Sequence, residues 1–112
     1  MLTSGDIIEV YLGAPQGSEA GLTRPVIAVT AQRILVRSPS VIQVVPLTRT
    51  IRGYATAVTI TADDHNGLAQ DSAAQCQHIR AVATSRIIGA KGNVGSIALA
   101  QIRDTLALLI DL

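Results

Sequence analysis

The stretch "GSEAGLTRPVIAV" (residues 17–29) decides how the rest of the chain is read. Its first half is polar and punctuated by glycine. At Arg24-Pro25 it changes into a nearly unbroken apolar run. A short run that is apolar on both faces reads as a strand in the middle of a sheet. Pro25 opens that strand without cost, because the first residue need not donate to the ladder. A strand is therefore expected over residues 25–30, with Arg24 at the seam between an approachable loop and a rigid root.

Working outward, "DIIEVYL" (6–12) alternates, with Ile8, Val10 and Leu12 facing one way and Ile7, Glu9 and Tyr11 the other. That is the pattern of a half-buried strand. "VIQVVPLT" (41–48) is a third strand, in which Pro46 marks an edge or a bulge, and "ATAVTIT" (55–61) is a fourth, rich in β-branched residues. "DDHNGL" (63–68) is a loop turned by Asn66-Gly67. "AAQCQHIRAVA" (73–83) is a fifth strand, straight or bent, and the glycine-rich "SRIIGAKGNVG" (85–95) reads as connecting structure. The tail changes period: Ala98, Ile102, Leu106 and Leu109 share one helical face, with Ser96 or Gly95 able to cap the start. Leu99, Ala100, Leu108 and Ile110 widen the apolar surface beyond one stripe, as for a helix that also meets a partner. Five short strands followed by one helix predict a mainly β (α+β) domain, a small curled sheet or barrel, over residues 1–112.

The totals agree. At 112 residues with 48% apolar and 15% charged residues, the chain is one globular domain rather than a disordered one. So high an apolar share in so small a chain implies a face buried against a second copy, a homodimer. No apolar run reaches the ~18 residues of a membrane span. The opening "MLTSGDIIEV" has neither a basic region nor a signal-like core, so a cytoplasmic protein is expected. Cys76 stands alone, which fits a reducing compartment, and it reads as a small core residue. His65, Cys76 and His78 are too few and too poorly spaced for a zinc site, and no cofactor is expected. Net charge is only +1, but Lys91 is the single lysine and every other cation is arginine, whose planar fork suits phosphate oxygens.

In chain order, Gly5-Asp6, Gly17-Ser18-Glu19, Arg24-Pro25-Val26, Pro46-Leu47-Thr48, Gly67-Leu68, Asp71-Ser72 and Ile79-Arg80 form a spaced set. This set resembles the MazF/PemK/Kid family of toxin ribonucleases, from Gly5 to Leu112. The resemblance implies an SH3-like β-barrel with a C-terminal helix, paired as a homodimer. It implies metal-independent, sequence-specific cleavage of single-stranded RNA, and a cognate antitoxin that lays an extended tail across the RNA groove. In one branch of the family an arginine and an aspartate, serving as acid and base, stand where this chain has Gln75 and Gln77. Glutamine cannot exchange a proton at ordinary pH, so that pair is absent here.

The chemistry itself constrains the site residues. RNA cleaves when its 2′-hydroxyl attacks the neighbouring phosphorus and expels the 5′-oxygen. The enzyme must align that attack, neutralise the phosphorane-like transition state and manage two protons. Arg24 fits the charge-neutralising role as a phosphate clamp; taken alone it reads more readily as a surface arginine beside a strand, and the ordered set reverses that preference. Thr48, at a strand end, can donate to a phosphate oxygen. Glu19 can accept the 2′-hydroxyl proton and Ser18 can donate to RNA, or both simply face solvent. Arg49 and Arg52 can track the RNA backbone. Gln75 and Gln77 can hydrogen-bond substrate. His78 titrates near neutrality as a residue type, but strict alternation puts it with Cys76 and Arg80, opposite the glutamines, unless the strand bends. Two other readings remain open: a gyrase poison of the same fold, disfavoured by the missing tryptophan and the Ile110-Asp111-Leu112 ending, and a non-catalytic SH3-like binding module.

Overall fold

The computed structural model describes residues 1–14, 16–17 and 22–112. Ser18 and Glu19 lie outside these. The elements run β1 (Asp6–Tyr11), β2 (Thr23–Ala28), one turn of helix α1 (Gln32–Leu35), β3 (Val41–Thr48), β4 (Ala57–Ile60) and β5 (Ser72–Gln75). A 3₁₀ turn over Cys76–His78 leads to β6 (Arg80–Ala83), a second over Thr84–Arg86 to β7 (Ile87–Asn93), and the chain finishes in α2 (Gly95–Leu109). The fold is mainly antiparallel β with a C-terminal helix, as the sequence predicted. The hydrogen-bonded order is β4-β5-β3-β2-β1-β7, with β6 also on β3.

The three central strands place apolar residues in adjacent pairs. Neighbouring residues in a strand point to opposite faces, so Ile7–Ile8, Val26–Ile27 and Val44–Val45 each feed two cores at once. One core collects Ile7, Ile27, Val45, Ala74 and Cys76 beneath Leu99 and Ile102 of α2. The other collects Ile8, Val10, Val26, Val44 and Val82, sealed by Leu35 of α1. No long helix covers this second core; the sheet folds over it. The Arg80 guanidinium at the start of β6 reaches back across the fold to donate to the Leu12 carbonyl at 3.1 Å.

The order ends at β4 and β7, which do not pair with each other, so the sheet is not closed by a ladder. The gap is bridged by the 61–68 loop instead: the Asn93 N–H donates to the His65 carbonyl at 3.0 Å. Buried Asn66 organises that loop. Its Oδ1 accepts from the Asp63 and Leu68 N–H groups, and its Nδ2 donates to the Thr61 carbonyl. The loop backbone lies so close to β7 that a Cβ on Gly92 would collide with the His65 carbonyl and the Asn66 backbone. That close approach explains a correction. Residues 87–93, read from sequence as part of a connection, instead form a strand, in which Gly92 stands where a second backbone must touch.

Three other expectations are revised. The single strand over 73–83 is two strands separated by the 3₁₀ turn. Pro46 is neither at a sheet edge nor in a bulge. Val29 N–H donates to Gln43 O, so Gln43 faces β2, and alternation turns the Pro46 nitrogen to the opposite side. There β3 passes from β6, at Val44↔Arg80, to β5, at Leu47↔Ala74, and no donor is required. The start of α2 is capped neither by Ser96 nor by Gly95: Asn93 Oδ1 accepts the Gly95 N–H at 2.8 Å, while its Nδ2 donates to Ser4 O and Asp6 Oδ1. The helix buries Leu99 and Ile102, leaving Leu109 exposed.

Candidate active site

The site forms where the second core runs out of apolar side chains. Val10 pairs with Arg24, and Val26 with Pro46. Continuing the latter register by two residues sets Arg24 opposite Thr48, on the face that Val26 and Val44 line deeper in the sheet. Beyond it, Thr48 pairs with Ala73, and Gln75 follows two residues on. Three strands thus bring a guanidinium, a hydroxyl and a carboxamide to one sheet corner. Arg24 is half-buried and its Nη1 donates to Gln75 Oε1 at 3.4 Å. Thr48 Oγ1 accepts from the Thr50 N–H at 3.2 Å, which leaves the hydroxyl proton to donate outward.

Arg24, Thr48 and Thr50 form a bar shared by two depressions. One, of about 450 Å³, is bounded by Glu9, Arg49 and Lys91. The other, of about 400 Å³, is bounded by Arg52, Tyr54, Gln75, Gln77 and His78. The latter passes across Gln77 and His78 into a third, of about 680 Å³, reaching Leu12 and Arg80. The three make a continuous trough. Among the described residues its walls carry the cations Arg24, Arg49, Arg52, Arg80 and Lys91 against one carboxylate, Glu9. Glu9 is itself matched by Lys91 at 3.4 Å. The balance is strongly positive, although the whole chain carries only +1.

Of the sequence-predicted residues, Arg24, Thr48, Arg49, Arg52, Gln75, Gln77 and His78 all line this trough. The placement of His78 overturns strict alternation. The 3₁₀ turn winds residues 76–78, so Cys76 goes into the core while Gln75, Gln77 and His78 share one wall. Burial raises the Cys76 thiol to about 11, so at neutral pH it is protonated and unreactive, a core residue as expected. Thr50, Glu9 and Lys91 were missed. Thr50 was detectable as the residue two beyond Thr48. The Glu9–Lys91 pair was not, because it depends on β7: the register steps from Ile7↔Gly92 to Ile8↔Ala90, making Lys91 the extra residue of a bulge. Among the described residues no three of His, Cys, Asp or Glu group as metal ligands.

These features define a small antiparallel sheet domain, backed by one helix, with a cationic trough over one sheet corner. Residues 3–110 match the family described as PemK-like, MazF-like toxin of type II toxin-antitoxin system. The chain is also 36% identical, over its full length and 98% of the other protein, to Endoribonuclease MazF9 of Mycobacterium tuberculosis. Solved structures of similar fold include MazF from Deinococcus radiodurans (TM-score 0.80, 22% identity, 97% of this chain and 96% of that one). They also include the Mycobacterium tuberculosis toxin MazF-mt6 (TM-score 0.76, 23% identity, 96% and 97%). A third is a mycobacterial endoribonuclease in complex with its cognate antitoxin (TM-score 0.77, 19% identity, 100% and 97%). The chain belongs to the PemK-like, MazF-like family of type II toxins.

Proposed function

We propose that this toxin is a sequence-specific, metal-independent endoribonuclease that cuts single-stranded RNA by attack of a 2′-hydroxyl on the adjacent phosphorus. The observation that carries the reading is the Arg24–Thr48 bar lying across a cationic trough. An RNA strand laid along the trough meets a guanidinium and a hydroxyl donor together at one phosphate. Arg24 neutralises the non-bridging oxygens as negative charge grows on them, and Thr48 donates to the same group. Arg49 and Arg52, on either side of the bar, hold the flanking phosphates. Gln75 and Gln77 offer donors and acceptors to bases, and Tyr54 offers a ring on which a base can stack. Glu19 and Ser18 precede Arg24 in sequence by five and six residues, and as residue types they are suited to accept the 2′-hydroxyl proton and to donate to RNA. Membership of the toxin family, and a relative named an endoribonuclease, point the same way.

The wider reading follows. The protein is one toxin domain over residues 1–112, working in the cytoplasm as a homodimer, its curled sheet an SH3-like barrel. A cognate antitoxin silences it by threading an extended acidic or polar tail through the trough in place of RNA. No helix among the described residues is long and apolar enough to cross a membrane. Incubating the protein with a long mixed-sequence RNA in EDTA tests the activity. Cuts at one short sequence, leaving 2′,3′-cyclic phosphate ends, are expected. RNA bound but uncut would favour a binding module, a reading that the two amides at 75 and 77 support. Intact RNA with arrested gyrase would favour the gyrase poison.

A further inference from the structure

The 2′-hydroxyl attack requires a proton acceptor, and neither glutamine can serve. We propose that His78 is that base, an inference that rests on the endoribonuclease reading above. The structural reason is the 3₁₀ turn over Cys76–His78, which breaks the strand and brings the imidazole onto the trough wall shared with Arg24, Gln75 and Gln77. His78 is partly exposed and lines both the second and the third depression, so a substrate running between them passes over it.

The groups that face it from neighbouring elements are Arg24 on β2, Arg52 and Tyr54 on the 49–56 loop, and Arg80 on β6. Guanidinium groups do not release protons in the neutral range. The phenol of Tyr54 belongs to a residue type that titrates near pH ~10. Glu9 stands across the Arg24–Thr48 bar, paired with Lys91. Among the described residues of this part of the trough, the imidazole is therefore the group suited to exchange a proton near neutrality.

In the step, a neutral imidazole nitrogen takes the proton from O2′ as the O2′–P bond forms and the P–O5′ bond breaks. The departing 5′-oxygen takes a proton from solvent water in the open trough. The hydroxide left by that water takes the proton from the imidazolium, so the imidazole is regenerated and no net proton is consumed. Arg24 holds the charge that accumulates on phosphorus meanwhile.

The test is single-turnover cleavage of a long mixed-sequence RNA, with enzyme in excess and at saturating concentration so that affinity cancels, across pH ~5 to ~8. For the unaltered protein the rate should climb with pH and then level off, as for a base that must be neutral to accept a proton. His78→Gln should lower the plateau by about 10²–10⁴-fold and abolish the climb. His78→Ala should regain both rate and climb when imidazole is added, which keeps the test open should the glutamine variant misfold. Cleavage by His78→Gln with an unchanged pH climb, at whatever rate, would overturn the assignment while leaving the endoribonuclease reading intact. Failure of the unaltered protein to cut would overturn both.

Discussion

At the scale of single residues, a guanidinium is useful here only because its root cannot move. Arg24 sits one residue ahead of Pro25 and is held by the pairing of β2 to Val10 on β1. Its Nη1 touches Gln75 from a third strand. Such a donor needs little reorganisation when charge develops, which is why losing one typically costs ~10²–10³ in rate. Arg24→Ala should therefore lose cleavage by about that factor or more, with far-UV dichroism and melting temperature little changed. Arg24→Lys should not restore it, since a point charge cannot form the planar fork. Unchanged cutting in the alanine variant would remove the clamp from the mechanism. Cys76 makes a different residue-level prediction. Its thiol is raised from 9.0 to about 11 by burial, so the folded state holds this proton more tightly than the unfolded chain does. The resulting stabilisation is complete below pH 9.0 and fades as pH rises through about 11. Urea midpoints measured across that window should fall more steeply for the unaltered protein than for Cys76→Ala.

At the scale of elements, legibility from sequence tracked how local the deciding interaction is. β3 was readable to its ends, Val41 and Thr48, because β-branched residues on both faces leave no other reading. The helix was readable because its period is long enough to repeat several times before the chain stops. The turn α1 was not: the four residues of Gln32–Leu35 are too few to establish a period. β7 was hidden because Gly92 answers to a loop some 25 positions earlier in the chain, not to its neighbours. The split of residues 73–83 was anticipated only as a bend, and that bend decides which wall His78 joins. Most trough residues could thus be named from sequence, whereas their grouping needed the turn, the bulge at Lys91 and the register of β2 on β3. Gly92→Ala tests the hidden element directly. The added methyl must push away the His65 carbonyl and the Asn66 backbone, which the Asn66 hydrogen bonds hold in place. A destabilisation of about 1–3 kcal/mol is expected from such overpacking, read as a lower denaturation midpoint. An unaffected midpoint would mean that the 61–68 loop yields freely, and so does not brace the open side of the sheet.

At the scale of the whole molecule, two cores close well yet considerable apolar surface stays outside them. Ile97 and Leu108 of α2 are 79% and 75% exposed, and Ile110 and Leu112 beyond it are 64% and 92% exposed. Tyr11 and Ile88 are also uncovered, on the β1–β7 side of the sheet. Isolated exposed apolar residues are ordinary in any protein. So many in a chain of 112 residues are what a second copy would cover, and the stability of each protomer would then depend on protomer concentration. Sedimentation at micromolar concentration should give about twice the 11.7 kDa chain mass, and the thermal midpoint should climb on raising the protein concentration. Placing a charge on the helix, as in Ile97→Asp with Leu108→Asp, separates two outcomes. If these residues lie in the interface, the double variant sediments as a monomer and loses the concentration dependence. If the interface lies on the β1–β7 side, the variant remains a dimer, and Ile88→Asp should dissociate it instead. A sharp monomer peak for the unaltered protein, with a midpoint indifferent to concentration, would refute the homodimer and leave one chain to supply the whole trough by itself.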